Sequence, residues 1–301
     1  MRGSGVAALA IDLLAGEPPE SIHPTVGMGN WIARGRSHRR SFAPSVSLAE
    51  GAMVVAGGAA VVASIAYVAD RLTGSLPESL RGVARAAALK PALSIRALLD
   101  AAAAVEQALS SAHVTRAREL LSWHLVSRDT STLDASEVAA ATIESVAENF
   151  NDGFVAPLMA FGAGGLAGAY VFRFVNTADA MLGYRTPELE WFGKTAARLD
   201  DALAYFPARC AAVLIALAAL MTGDSIRGAA RVMVNDADAT ASPNAGWPMA
   251  AMAGALGIRL EKHGHYRLNA AARAPRARDI RRARRIVLVG SILAALATEV
   301  A

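Results

Sequence analysis

The amino-acid sequence predicts an all-α, polytopic integral membrane protein, folded as one membrane-embedded helical domain over residues 1–301. Three observations carry this. Hydrophobic residues make up 54% of the chain and charged residues 19%, where soluble globular chains carry about 25% charge, and the mean hydropathy is positive at +0.33. Residues 51–69 run for nineteen positions without a charge, between Glu50 and Asp70, and a membrane helix needs about 20 apolar residues. No segment alternates apolar and polar residues for long enough to form a sheet. Part of the apolar excess is mild, because 69 residues are alanine. The composition excludes disorder, and a single cysteine, Cys210, excludes an intrachain disulfide or a cysteine metal cluster.

Residues 5–15 form a short apolar segment that contains Asp12 and lacks a signal-peptide cleavage pattern, and Gly16–Pro19 closes it with a turn. His23–Gly29 is a second turn, polar and then glycine-rich. Arg34, Arg36, Arg39 and Arg40 cluster ahead of the 51–69 span, as cytoplasmic anchors of membrane helices do. Gly57 and Gly58 at the centre of that span suit close helix packing. Residues 70–152 read as an extramembrane helical region. It contains an alanine-rich amphipathic helix with Leu93, Ala97, Ala101, Ala104 and Ala108 inward and Arg96, Asp100 and Glu106 outward. A further helix starts at Asp134, where Glu137 completes a capping box.

Residues 153–172 are twenty positions without a charge, interrupted by Gly162, Gly164 and Gly165. Two readings stand. One is a plain span with packing glycines. The other is a re-entrant helical hairpin whose halves, about nine residues and about 14 Å each, reach half-way through a bilayer. A hairpin would bring the polar motifs before and after it to one membrane face. Residues 203–222 form the second full span, with Arg209 snorkelling near one end. Residues 245–258 and 286–298 are apolar but short, and seven arginines between 273 and 285 precede the last segment as a second anchor cluster. Neither arginine cluster is interleaved with aromatics, so no nucleic-acid partner is expected.

The densest polar constellation is Ser127–Ser131 followed by Thr142–Gly153. On the helix that begins at Asp134, Glu144, Glu148 and Asp152 are spaced i, i+4, i+8 and line one face, while Ala139, Ile143, Val146 and Phe150 form an apolar stripe. Three acids on one face repel unless cations oppose them, and this face runs straight into an apolar segment, where an unpaired carboxylate is costly. A solvated acidic face is the bland alternative. Beyond the glycines come Arg173, Asn176, Asp179 and Arg185, then Arg198, Asp200 and Asp201. Such oxygen donors suit Mg²⁺, which takes a few carboxylates together with substrate phosphates, and arginines suit phosphate or carboxylate groups. Helix-tying salt bridges are the competing reading of these pairs. Ser242–Pro248 is a rigid turn. If 203–222 spans fully, this turn lies opposite Asp200 and cannot join its site. The histidines lack zinc spacing, and neither a P-loop nor a GxSxG elbow is present.

Taken together, these segments resemble the CobD/CbiB family, the membrane-bound adenosylcobinamide-phosphate synthases. The matching pieces are Asp12–Pro18, His23–Gly29, Ser127–Ser131, Thr142–Asn149, Asp152–Leu158, Val175–Met181, Ala197–Asp201 and Ser242–Pro248, in family order over most of the chain. Residues 262–275 and the arginine-rich C-terminal stretch depart from the family's pattern. The resemblance implies an ATP-dependent amide ligation of adenosylcobyric acid with (R)-1-amino-2-propanol O-2-phosphate, or ethanolamine phosphate, through an acyl phosphate. It implies ATP and Mg²⁺ as cofactors and a multi-pass place in the cell membrane with a cytoplasmic active site. A homo-oligomer, or association with other membrane enzymes of cobalamin assembly, is compatible with it.

Placing that chemistry on the polar residues is our own assignment. The expected catalytic residues are Glu144, Glu148 and Asp152. Metal ligands are expected among Glu148, Asp152, Asp179, Asp200 and Asp201, and cofactor and substrate contacts among Arg128, Asp129, Asn149, Asn176, Arg185, Arg198, Asn244 and Trp247. Two other functions share such a scaffold: a non-catalytic AmpE-like membrane regulator, and another Mg²⁺-dependent membrane phosphotransferase. A transporter would show an inverted repeat, which is not apparent.

Overall fold

A computed structural model describes residues 4–300. The chain runs through α1 (Ser4–Ala15), α2 (Pro24–Ser37), α3 (Pro44–Gly74), α4 (Glu78–Leu89), α5 (Ile95–Ser110), α6 (Val114–His124) and α7 (Ala135–Phe150). It continues through α8 (Ala156–Leu182), α9 (Lys194–Thr222), α10 (Ile226–Asp236), α11 (Gly246–Leu256), strands β1 (Leu260–Lys262) and β2 (Tyr266–Leu268), and α12 (Ala277–Val300). The all-α class is as expected. Three helical tracts, Pro44–Gly74, Ala135–Leu182 and Lys194–Thr222, are long and apolar enough to cross a membrane. The helices gather into two units, each assembled from separated segments: among the described residues, 4–94, 156–204 and 298–300 form one, and residues 95–155 and 205–297 the other.

In the first unit α3 packs against α2, α4 and α8 around a core of Ile32, Val55, Phe174, Leu182 and Phe192. Its small residues decide how close these neighbours come. A side chain on Gly51 would strike the Phe192 carbonyl, and one on Gly58 would strike the Phe174 ring. The opposite side of α3 exposes Met53, Ile65, Tyr67, Val68 and Leu72. Such a run is unfavourable in water and natural against lipid.

The glycine-interrupted stretch is a helical hairpin. Gly164 (φ −137°, ψ 20°) and Gly165 (φ 61°, ψ −153°) leave helical geometry, and the second needs the left-handed freedom that glycine provides. The two halves fold back on each other. A Cβ on Gly168 would collide with the carbonyl of Ala160, and Ala156 packs with Phe172. Residues eight apart in an unbroken helix stand about 12 Å apart. The tract 135–182 is therefore not one straight rod, and the plain-span reading of 153–172 is set aside.

In the second unit α7 is the central helix, with Val138 through Ala147 all buried. Its start is the expected capping box, with Asp134 accepting from the Ser136 and Glu137 amides and Glu137 accepting from the Asp134 amide. It passes into a π-helical turn over Asn151–Val155, a local widening often found at functional sites. α11 is also buried all round, too short at eleven residues to span, and its Gly254 meets Gly228 of α10 backbone to backbone.

Two expectations change here. On α5 the buried face is Leu98, Leu99, Ala102, Val105 and Glu106, while Ala97 is exposed. Glu106 points inward because Arg281 and Arg284 of α12 hold its two oxygens at 2.7 and 3.0 Å. Where no sheet was expected, β1 and β2 form an antiparallel hairpin pairing Leu260 with Leu268, Glu261 with Arg267 and Lys262 with Tyr266.

Candidate active site

The expected site residues divide between the two units. In the second unit the acids of α7 occupy three environments. Glu144 is buried, its Oε2 lies 3.9 Å from Arg128 Nη2, and its Oε1 has no hydrogen-bond partner. Glu148 and Asp152 are half-buried, and Asp152 accepts a hydrogen bond from Asn151 Nδ2 at 2.8 Å. The Asn151 side-chain oxygen is itself buried without a partner. Arg128 reaches Glu144 from the α6–α7 loop, whose end Thr130 fastens by donating to the Arg118 carbonyl.

Two residues that the sequence reading did not select complete this region. β1 packs on α7, and Tyr266 and Lys262, opposite each other in the hairpin, both act electrostatically on Glu144. Burial, and then the Glu144 and Glu148 carboxylates, push the Tyr266 phenol well above its usual ionisation range, so it stays an O–H donor at any physiological pH. The strands are three residues each, which leaves no period for a sequence pattern to register. Lys262 carried one available signal as one of only three lysines in the chain.

Asp129 and Asn149 are exposed and locally engaged. Asp129 accepts from the Ser131 amide and hydroxyl, which hold its carboxyl below the usual range, and Asn149 donates to the Ser145 carbonyl and hydroxyl oxygens. The Ser242–Pro248 turn is built around Ser242, whose hydroxyl accepts from the Asn244 and Ala245 amides. Arg209 secures it, donating to the Asn244 side-chain oxygen at 3.3 Å and to the Pro243 carbonyl, and stacking between Tyr205 and Trp247. This turn therefore lies against Tyr205 and Arg209 of α9, not past that helix's C-terminal end, and Arg209 is a structural clamp instead of a snorkelling charge. The buried Trp247 Nε1 has no acceptor.

In the first unit, Asn176 of α8 donates to Asp200 of α9 at 3.2 Å. Asp179 feels the charge of Asp201, and Asp201 in turn that of Arg198 and Arg185. The N-terminal motifs meet in a second polar cluster. Lys90, only 4% exposed, donates to Glu17 at 2.7 Å and lies 3.3 Å from the fully buried Asp12, and His23 pairs with Glu17 at 3.1 Å.

Among the described residues, no three His, Cys, Asp or Glu side chains form a group able to hold a metal ion alone. The donors present are hard oxygens, and the buried Asn151 oxygen without a partner stands next to Asp152. That donor set fits Mg²⁺, which is held by one or two carboxylates and completes its shell with substrate phosphates.

The profile of the family described as "CobD/Cbib protein" matches residues 5–287. The chain belongs to the CobD/CbiB family. It is 40% identical to the "Cobalamin biosynthesis protein CobD" of Dehalococcoides mccartyi (strain CBDB1) over 263 residues, covering 87% of this chain and 84% of that one. It is 38% identical to the "Probable cobalamin biosynthesis protein CobD" of Methanothermobacter thermautotrophicus over 262 residues, covering 86% and 84%. A protein of the same name from Pyrococcus furiosus is 38% identical over 279 residues, covering 93% and 91%. No solved structure matches the chain.

This CobD/CbiB chain also has an apolar groove of about 440 Å³ in its first unit, lined by Trp31, Val61, Ile65, Tyr170, Phe174 and neighbours. Its lining holds no charged side chain, so it offers nothing to a phosphate or a carboxylate.

Proposed function

We propose that the chain acts in cobalamin biosynthesis as a membrane-embedded amide ligase. It joins a carboxylate of adenosylcobyric acid to (R)-1-amino-2-propanol O-2-phosphate, or to ethanolamine phosphate, and gives adenosylcobinamide phosphate. The carrying observation is the α7 acid face opposed by Arg128, found in a member of this family whose relatives bear cobalamin-biosynthesis names. A carboxylate is a poor acyl donor because oxide would have to leave. Bound ATP with Mg²⁺ would supply a phosphoryl group to that carboxylate, releasing ADP and leaving an acyl phosphate from which the amine would displace phosphate. Glu148, Asp152 and the Asn151 oxygen are the donors for the metal in the second unit, and Asp179, Asp200 and Asp201 are those in the first. Arg128 in the second unit, and Arg185 and Arg198 in the first, are the candidates for binding phosphate oxygens and neutralising charge in their own unit. Whichever of Glu148 and Asp152 does not hold the metal removes the proton that the incoming ammonium must lose. The clamped Asn244–Trp247 turn is the candidate contact for the corrin substrate.

The apolar face of α3 and the three long apolar tracts support a cell-membrane location, and Arg34, Arg36, Arg39 and Arg40 ahead of α3 support a cytoplasmic site. The test is mass-spectrometric detection of adenosylcobinamide phosphate from purified protein, adenosylcobyric acid and the amino-alcohol phosphate, with ATP or Mg²⁺ omitted in parallel. Product only in the complete mixture supports the reading. Product without ATP removes the acyl-phosphate step, and no product with either amine removes the ligase.

A further inference from the structure

We infer that Glu144, Arg128, Lys262 and Tyr266 form the subsite for the amine co-substrate, and that this subsite recognises an aminoalkyl phosphate by its two opposite charges. The inference rests on the proposed ligase reading and deepens it. Glu144 is 5% exposed, yet its Oε1 makes no hydrogen bond and its Oε2 stands 3.9 Å from the nearest Arg128 nitrogen. A carboxylate kept out of water with one oxygen unmatched is an expensive arrangement for structure alone. It is an apt one for a ligand that brings N–H donors. A primary ammonium brings three.

The other side of the subsite is basic. The hairpin's Arg267 and the neighbouring Arg259 and His263 all lie against Glu261. Lys262, the cross-strand partner of Tyr266, acts on Glu144 instead. With Arg128, 3.9 Å from the acid, it supplies two cations, which suits a dianionic phosphate monoester. Tyr266 closes the arrangement. Its hydroxyl lies 3.8 Å from Met249 Sδ and is also engaged by the Glu144 carboxylate, so it positions that acid for the ligand. A free amine without phosphate, or a phosphate without amine, satisfies only half of these groups.

The test measures binding of three probes to the detergent-solubilised full chain by calorimetry: 1-aminopropan-2-yl phosphate, propan-2-yl phosphate and 1-aminopropan-2-ol. Wild type should bind the first at least about tenfold more tightly than either of the others, because each lost charged contact is a substantial one. Glu144→Gln should bind the first two probes equally while keeping its affinity for propan-2-yl phosphate. Lys262→Met, on the half-exposed hairpin and so independent of the core, should lose the preference for phosphate and keep that for amine. Tyr266→Phe should raise KM for the amino-alcohol phosphate about tenfold with kcat little changed. Unaltered probe ratios in folded Glu144→Gln and Lys262→Met overturn the subsite, as does a wild type that does not bind the first probe. Normal product formation with unaltered ratios sinks the subsite and leaves the ligase. Altered ratios without product sink the ligase and leave the subsite.

Discussion

Replacing Asp279 by Asn removes the charge at the centre of the most heavily bonded acid in the second unit. Asp279 is fully buried and accepts from both Arg273 Nη atoms at 2.7 Å, from Arg282 Nη1 at 2.9 Å and from the Arg276 amide at 2.9 Å. The last bond caps the first turn of α12. Burial raises this carboxyl, and the hydrogen bonds from Arg273, the Arg276 amide and Arg282 overcome that rise and hold it below the usual carboxylate range. Breaking a fully buried pair costs about 3–5 kcal/mol. Both arginines are about a third exposed, and water screening lowers the expectation to about 2–3 kcal/mol. The apparent unfolding temperature should fall by about 4–10 °C.

The pH dependence has a definite sign. A carboxyl with a depressed folded value stabilises the protein above its unfolded value of about 3.9, and the contribution is lost as pH falls through the folded value. Thermal unfolding in detergent, followed by circular dichroism from pH 7 to 3, reads both effects. Wild type should lose its advantage over Asp279→Asn below about pH 4. Equal unfolding temperatures at pH 7, or a gap unchanged at pH 3, would refute the reasoning.

Gly168→Val should abolish folding of the 156–182 hairpin, because its side chain meets the Ala160 backbone, whereas Gly162→Ala, with open space, should stay within about 0.5 kcal/mol of wild type. Fluorescence size exclusion separates these two outcomes, and a well-behaved Gly168→Val would contradict the hairpin. Lys90→Met should cost about 3–5 kcal/mol, since it strips the cation from the fully buried Asp12 and from Glu17. Adding Asp12→Leu should recover part of that loss, and no recovery would show that the pair does not carry it.

The long elements were legible because their signals are local. The α3 span, the capping box at Asp134 and the break at Gly164–Gly165 each follow from residues within a few positions of one another. Glu144, Glu148 and Asp152 lie along α7 and the π-helical turn after it, but nothing in their spacing told Glu144's enclosure from the half-exposure of the other two. What escaped the sequence depends on partners distant in the chain. Glu106 looked like a solvent residue until Arg281 and Arg284 drew it inward. Four of the seven arginines read as membrane anchors, Arg273, Arg281, Arg282 and Arg284, are ion-paired to Glu106, Asp224 or Asp279. Arg209 likewise finds its use only when the 242–248 turn comes back to it. Lys262 and Tyr266 escaped because a hairpin of three-residue strands has no periodicity.

The most direct test of the proposed chemistry compares product formation by wild type, Glu148→Gln and Asp152→Asn under saturating Mg²⁺–ATP, adenosylcobyric acid and amino-alcohol phosphate, each variant first shown to be folded. Wild type should form adenosylcobinamide phosphate, and each variant should lose at least about a hundredfold in rate, as loss of a metal donor or general base does. Full activity in both folded variants would contradict a catalytic α7 acid face and leave the acids of the first unit to carry the reaction.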